Sequence, residues 1–303
     1  MCALRGILVK LIDIIPAGNT LGEGILWDAG RGSLWWTDIQ QRKLHRRDLA
    51  NGKTEMFRTP ERLTSFGLIE GSCDLIAAFE SGIAYYDPQS GSVDWQYRPK
   101  FDHPSIRFND GRVDRQGRFW CGTMMERENE RALGALFCLD DAGEPSVHLR
   151  GVSISNGICW GPDSKTFYFA DSPKRTIFAF DFDADSTTLS NQRVFAQTPD
   201  GAYPDGANVD SQGCLWSAQW GAGRLARYTP DGREDMIIEV PASQPTCVAF
   251  GGTGLDLLFV TSARDGLKKD ALIGQPHAGD LFVFKAPVAG LLDGSFIRKE
   301  KTG

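Results

Sequence analysis

The chain has 303 residues, 41% of them apolar and 24% charged, which is too hydrophobic a composition for a disordered chain. Lys plus Arg number 33 against 39 Asp plus Glu, a formal charge of −6, so there is no basic surface to take up nucleic acid. No run approaches the roughly 18 uninterrupted apolar residues of a membrane span, and none is predicted.

Taken in chain order, residues 8–15 read as a strand, broken by Lys10 and Asp13 and followed by no small-residue cleavage site. A unit then begins near Gly24, continues through 32–38 (Gly-Ser-Leu-Trp-Trp-Thr-Asp) and 43–45, and ends in a weaker strand at 54–57. The same succession returns near Gly67 with 72–78 and 82–86, and near Gly111 with 117–122 and 135–138. It returns again near Gly157 with 164–170, 176–180 and 193–196, and near Gly206 with 213–218, 224–228 and 234–240. The last copy starts near Cys247, includes 254–260 and 280–284, and is expected to end near Ile297. Aligned on Leu34, Leu75, Phe119, Phe167, Leu215 and Leu257, the copies are spaced 41 to 48 residues apart. A period of about 40 to 50 residues with about four strands per copy is the mark of a propeller blade.

The predicted fold is therefore all-β, a six-bladed β-propeller with four-stranded blades. No blade covers both of its faces without neighbours, so residues 1–303 are predicted to form a single domain. The N-terminal strand supplies the outermost strand of the sixth blade and closes the ring. Two connections, 124–133 and 263–278, exceed the usual turn length and are either lids or tolerated insertions.

Inner strands of a propeller converge on the central channel, so polar residues at their entrances meet. Those residues are Glu23, the pair Asn109 and Asp110, Asn156 and Asp205, each just before the leading glycine of its unit; Phe66 and Pro245-Thr246 stand at the equivalent places of the other two. Asn and Asp before Gly are ordinary turn formers one at a time. In one register across four blades they make a hard, oxygen-donating site for a divalent cation. Arg107, two residues before Asn109 on an extended segment, points to the same opening or serves a surface salt bridge. His45, His103, His148 and His277 have no ligand spacing, and there is no nucleophile elbow, P-loop or dinucleotide fingerprint. Seven scattered cysteines without a C-x-x-C pair point to reduced thiols and a cytoplasmic protein. Cys121 and Cys214 read as buried and inert.

Leu21-Gly-Glu-Gly24, Arg107-Phe-Asn-Asp-Gly111 with Asp114, Gly122-Thr-Met124, Ser155-Asn-Gly157, Pro162-Asp163, Tyr203-Pro-Asp-Gly206 and Thr261-Ser-Ala-Arg264 follow one another in order, about one group per blade. In these the chain resembles the SMP-30/gluconolactonase/regucalcin family of six-bladed propellers that hydrolyse sugar lactones, over essentially 21–284. The resemblance implies Glu23, Asn156 and Asp205 as metal ligands, with Asp205 as general base. It implies Arg107 and Asn109 as substrate contacts, with Glu126 near the place of an acidic lid residue. The implied cofactor is one divalent ion, Ca2+, Zn2+, Mn2+, Mg2+ or Fe2+, acting as Lewis acid. The implied partner is a small-molecule sugar lactone, with no nucleic acid or membrane, and the protein is expected as a monomer or small homo-oligomer. Competing readings are a metal-dependent esterase or organophosphate hydrolase on this fold, and a non-enzymatic calcium-binding regulator.

Overall fold

A computed structural model describes residues 9–127, 132–141 and 143–298. The described strands form six four-stranded antiparallel sheets. Blade one is Gly22–Asp28, Ser33–Asp38, Lys43–Asp48 and Thr54–Arg58, in that order from the channel outward. The inner strands of the next five are Leu63–Leu68, Ile106–Val113, Ser155–Trp160, Tyr203–Val209 and Pro245–Gly251, each paired to the strand that follows it.

Alternation along these strands places apolar side chains on both faces, and the core lies between blades rather than within one. Trp120 and Leu136 of blade three pack with Trp160, Phe167 and Phe180 of blade four, and Trp216 and Leu225 of blade five with Phe250 and Phe282 of blade six. The second strands, six in all, are buried along almost their whole length, which is why a G-x-x-W type pattern marks them in the sequence.

The ring closes as expected. Leu11–Ile15 pairs antiparallel with Leu281–Lys285, in register Ile15 to Leu281 and Leu11 to Phe284, and becomes the fourth strand of blade six. Residue 8 of that predicted strand lies outside the described residues. The expected end of blade six near Ile297 is corrected: its third strand stops at Lys285, and 286–298 leave the blade. This segment runs across the end of the ring where inner strands finish. It bridges Asp210 through Gly290 and Ile69 through Phe296, and it sets Asp293 on Arg112 at 2.8 Å. Its mixture of Gly, Pro and unspaced apolar residues cannot sustain strand alternation, and its backbone groups bond to three other blades instead: Ser211 N–H to Ala289 O, Phe296 N–H to Leu68 O and Ile297 N–H to Gly117 O.

Of the two long connections, 128–131 lie outside the described residues. The other carries a short helix, Lys269–Gly274, and is docked by Arg264 and Asp265 N–H groups on Thr20 O. Among the described residues no helix is long and apolar enough to cross a membrane.

Candidate functional site

The polar residues singled out in the sequence sit where each inner strand slips register against its neighbour. The shifts fall between Glu23 and Leu26, Phe108 and Gly111, Asn156 and Cys159, and Pro204 and Ala207. A bulge leaves residues unpaired and re-aims their side chains, which lets two neighbours serve the same opening. Gly24 and Gly157 occupy the bulges of blades one and four at φ +57° and +63°, a backbone region that a β-carbon disfavours. The Gly that follows Glu23 and Asn156 is thus what turns each of them inward, whereas Gly111 and Gly206 answer to close approach, since a β-carbon there would lie 2.7 Å from Ser65 Oγ and 2.5 Å from Cys247 Sγ.

Glu23, Asn109, Asn156 and Asp205 line one cavity of about 380 Å³ at the end of the ring where inner strands begin. Its walls are apolar, with Leu21, Ile39, Met124 and Ile154, and one side is formed by the Tyr203 and Trp220 rings, 5.9 Å between centroids. Apart from Leu21, Met124 and Tyr203, these wall residues belong to no motif and were not read from the sequence.

Glu23 and Asp205 face the cavity and are enclosed by protein on their other sides. Burial, then the like charge of Asp110, pushes Glu23 up to about 8, against the pull of the Gly24 N–H and Arg107. Asp205 is pushed well above the ordinary carboxylate range by burial, then by Glu23 and Asp110. Asp110 is also raised by burial, but Arg112 and the N–H groups of Ile158, Gly111 and Gly157 hold it down in part. It accepts from Ile158 N at 3.1 Å and so ties blade three to the bulge of blade four.

The amides are joined in series. Asn109 Nδ2 donates to Asn156 Oδ1 at 3.0 Å and to Ser155 O at 2.9 Å, while Asn156 Nδ2 donates to Ser172 Oγ at 2.8 Å. Arg107 is 6% exposed; it donates through Nη1 to Asn109 Oδ1 at 2.9 Å and through Nε to Glu126 at 3.1 Å. Burial alone would raise Glu126, but hydrogen bonds from Arg62 at 2.5 and 3.1 Å, together with Arg107, hold it below its usual value. Arg107 and Glu126 therefore stand behind Asn109 rather than on the cavity lining, and Arg62, which nothing in the sequence marked, belongs to the same network.

Among the described residues there is no group of three or more His, Cys, Asp or Glu side chains arranged to hold an ion. The candidate set is of another kind, two carboxylates with the amide oxygen of Asn156. Buried, mutually repelling carboxylates beside a fixed amide oxygen fit a hard divalent cation, whose charge offsets the burial and then the repulsion that otherwise favour their protonated forms.

A family model described as SMP-30/gluconolactonase/LRE-like region matches residues 21–264. The chain belongs to this family. Among its SMP-30/gluconolactonase relatives, the L-arabinolactonase of Azospirillum brasilense is 39% identical, the match covering 92% of each chain. The 6-deoxy-6-sulfogluconolactonase of Pseudomonas putida is 35% identical over 93% of this chain and 97% of that protein. A crystal structure from Agrobacterium tumefaciens, described as a calcium-binding protein, regucalcin, superposes with a TM-score of 0.89 at 31% identity, covering 94% of this chain and 97% of that one.

Proposed function

We propose that this chain is a metal-dependent lactonase that opens a sugar lactone to the free aldonic acid, with Asp205 as general base. The observation that carries the reading is the meeting of Glu23, Asn156 and Asp205 in one apolar-walled cavity. The arabinolactonase and the sulfogluconolactonase to which the chain is similar suggest the substrate class. Glu23, Asn156 and Asp205 are the residues that would hold one divalent cation, and their oxygens suit Ca2+, Mg2+, Mn2+, Zn2+ or Fe2+. When bound, the ion supplies Lewis acidity to the lactone carbonyl and to water.

The chain's own residues account for the rest. Asp205 takes a proton from the water whose oxygen attacks the carbonyl carbon. It returns that proton to the ring oxygen as the ring C–O bond breaks, so that lactone plus water gives the hydroxy acid. Asn109 has both N–H groups committed and one Oδ1 lone pair given to Arg107, which leaves a single acceptor site for a sugar hydroxyl. Arg107, standing behind Asn109, acts on substrate through it: the bond from Nη1 fixes the Oδ1 that Asn109 offers. Glu126 receives two bonds from Arg62 and one from Arg107, and so holds Arg107 in place behind Asn109. The apolar walls limit bulk water around the reacting carbonyl.

The test is hydrolysis of a panel of aldonolactones and aryl esters by chelated and metal-restored protein, with the spontaneous rate subtracted. Chelation abolishes lactone opening and restoration recovers it, while Asp205→Asn lowers kcat by about 10²- to 10⁴-fold, the span of a general base. Full activity in the chelated protein, or aryl esters outpacing every lactone, would sink the reading.

A further inference from the structure

Ser172 opens a short 3-10 turn, Ser172–Lys174, and lies against the cavity without belonging to any of the roles assigned above. It is 7% exposed, and its backbone is fixed on both sides: its N–H donates to Ile154 O at 3.2 Å and its O accepts from Arg175 N at 2.9 Å. Its hydroxyl donates to Pro204 O at 2.7 Å, the carbonyl of the residue before Asp205. A hydroxyl has one proton, and a carbonyl can only accept, so that proton is spent on Pro204. Ser172 Oγ is then an acceptor toward Asn156 at 2.8 Å, and the atom it faces must be the N–H-bearing Nδ2.

The other end of the series is equally one-sided. A guanidinium can only donate, so Arg107 Nη1 must face the Oδ1 of Asn109. Asn109 then presents Nδ2 to Asn156, which must answer with Oδ1, at 3.0 Å. Two amides whose ends are ordinarily interchangeable are given one direction by an obligate donor on blade three and an obligate acceptor on blade five.

We propose that Ser172 is a positioning residue that locks the direction of the Asn156 amide, so that Oδ1 and not Nδ2 is offered toward Glu23 and Asp205. The proposal rests on the reading of those three residues as the cation's holders. Turned the other way, Asn156 offers N–H dipoles to a cation and meets the Nδ2 of Asn109 donor to donor. The bond to Pro204 is what commits the hydroxyl's proton and leaves Oγ an acceptor toward Asn156.

Isothermal titration of chelated protein with calcium chloride and with manganese chloride tests the lock. Ser172→Ala is expected to weaken binding by about 10- to 100-fold, the effect of losing a partner that orients a ligand, and Ser172→Thr, which keeps the hydroxyl, to restore most of it. In an Asn156→Asp background, where both terminal atoms are oxygen and no wrong direction exists, Ser172→Ala should change affinity by less than about 3-fold, well under that loss. An equal loss in both backgrounds, or none in the first, overturns the proposal. Urea midpoints of the metal-free protein read the contact itself, independently of any ion. Ser172→Ala and Asn156→Ala should be non-additive because each breaks the same bond, and additive shifts overturn the lock. Failure of the parent protein to bind either ion, with the non-additivity intact, overturns the functional reading instead.

Discussion

His45 lies on the Lys43–Asp48 strand with its ring stacked on Trp36, 4.9 Å between centroids and 7° between planes. Burial pushes its pKa down from 6.5 to about 4; Asp38 pulls it up and Lys43 adds to the lowering. At His45 the folded protein therefore binds fewer protons than the unfolded chain between pH 6.5 and 4. The contribution of this residue to stability is fully present above 6.5 and is lost as pH falls through that window. His148, also lowered by burial and by Arg118, acts in the same direction. The raised carboxylates Glu23, Asp110 and Asp205 act in the opposite direction over the same range, so the His45 contribution is read as a difference: between pH 7 and 5 the urea midpoint of the unsubstituted protein should fall relative to that of His45→Phe, which keeps the stack. Equal slopes in the two proteins would reject the assignment. The site was legible at this scale only in part. Glu23, Asn156 and Asp205 each precede a glycine that marks a bulge, and bulges recur with the blade period, so the register exposes them. Ser172 and Arg62 follow no period, because one sits on a short turn and the other in the approach to an inner strand. Their roles come from what they bond to, which spacing does not encode. Asp110, read as part of the same opening as Asn109, instead spends an oxygen on the Ile158 N–H.

Within the blades, one acidic residue recurs with a structural task. Asp210 accepts Trp216 Nε1 at 3.0 Å, Arg227 Nε at 2.8 Å and the N–H groups of Gln212 and Cys214. Asp114 does the same for Trp120 at 2.9 Å, Arg118 at 2.7 Å and the Gln116 and Arg118 N–H groups. Each closes the hairpin between inner and second strand and anchors the tryptophan six residues on, which fills the space between blades. Asp210 is wholly buried and Arg227 nearly so, with Asp235 as its other carboxylate. Asp210→Ala is accordingly expected to lower unfolding free energy by about 3–5 kcal/mol, the usual consequence of stranding one member of a buried pair. Adding Arg227→Met should recover part of it. Chemical denaturation of the two variants measures both, and a loss below about 1 kcal/mol, the net value of one ordinary hydrogen bond, would deny Asp210 this role. The inner three strands of most blades were readable because burial on both faces demands runs such as Leu-Trp-Ser-Ala. The outer strands Val93–Tyr97 and Ser146–Val152 escaped because one face meets water and their apolar positions are too few to show a pattern.

A ring of blades has two loose ends, and this molecule secures both by borrowing chain from elsewhere. The C-terminal segment 286–298 crosses the far end of the channel, where Phe296 is fully buried among Ile69, Val113 and Tyr85 of blades two and three. Nothing in its sequence announces this, since a crossing segment obeys no blade period. The N-terminal strand was foreseeable, because the sixth copy lacks an outer strand and residues 8–15 offer one. Its contribution is not confined to hydrogen bonding with Leu281–Lys285. Ile15 is buried with Trp36 of blade one and Leu281 of blade six, and Leu11 and Ile14 pack on the cluster shared by blades five and six. Removing residues 1–15 would open both of these clusters and leave the Leu281–Lys285 edge unpaired, ready to template another chain. Because each blade's faces are covered only by its neighbours, the loss should propagate around the ring. The expectation is one cooperative transition at a Tm lower by about 5 °C or more, at the roughly 2–4 °C per kcal/mol typical of chains of 150–250 residues, together with concentration-dependent self-association. Calorimetry and light scattering on the truncated chain read both, and an unchanged Tm would show that the remaining blades and the C-terminal crossing close the ring without the borrowed strand.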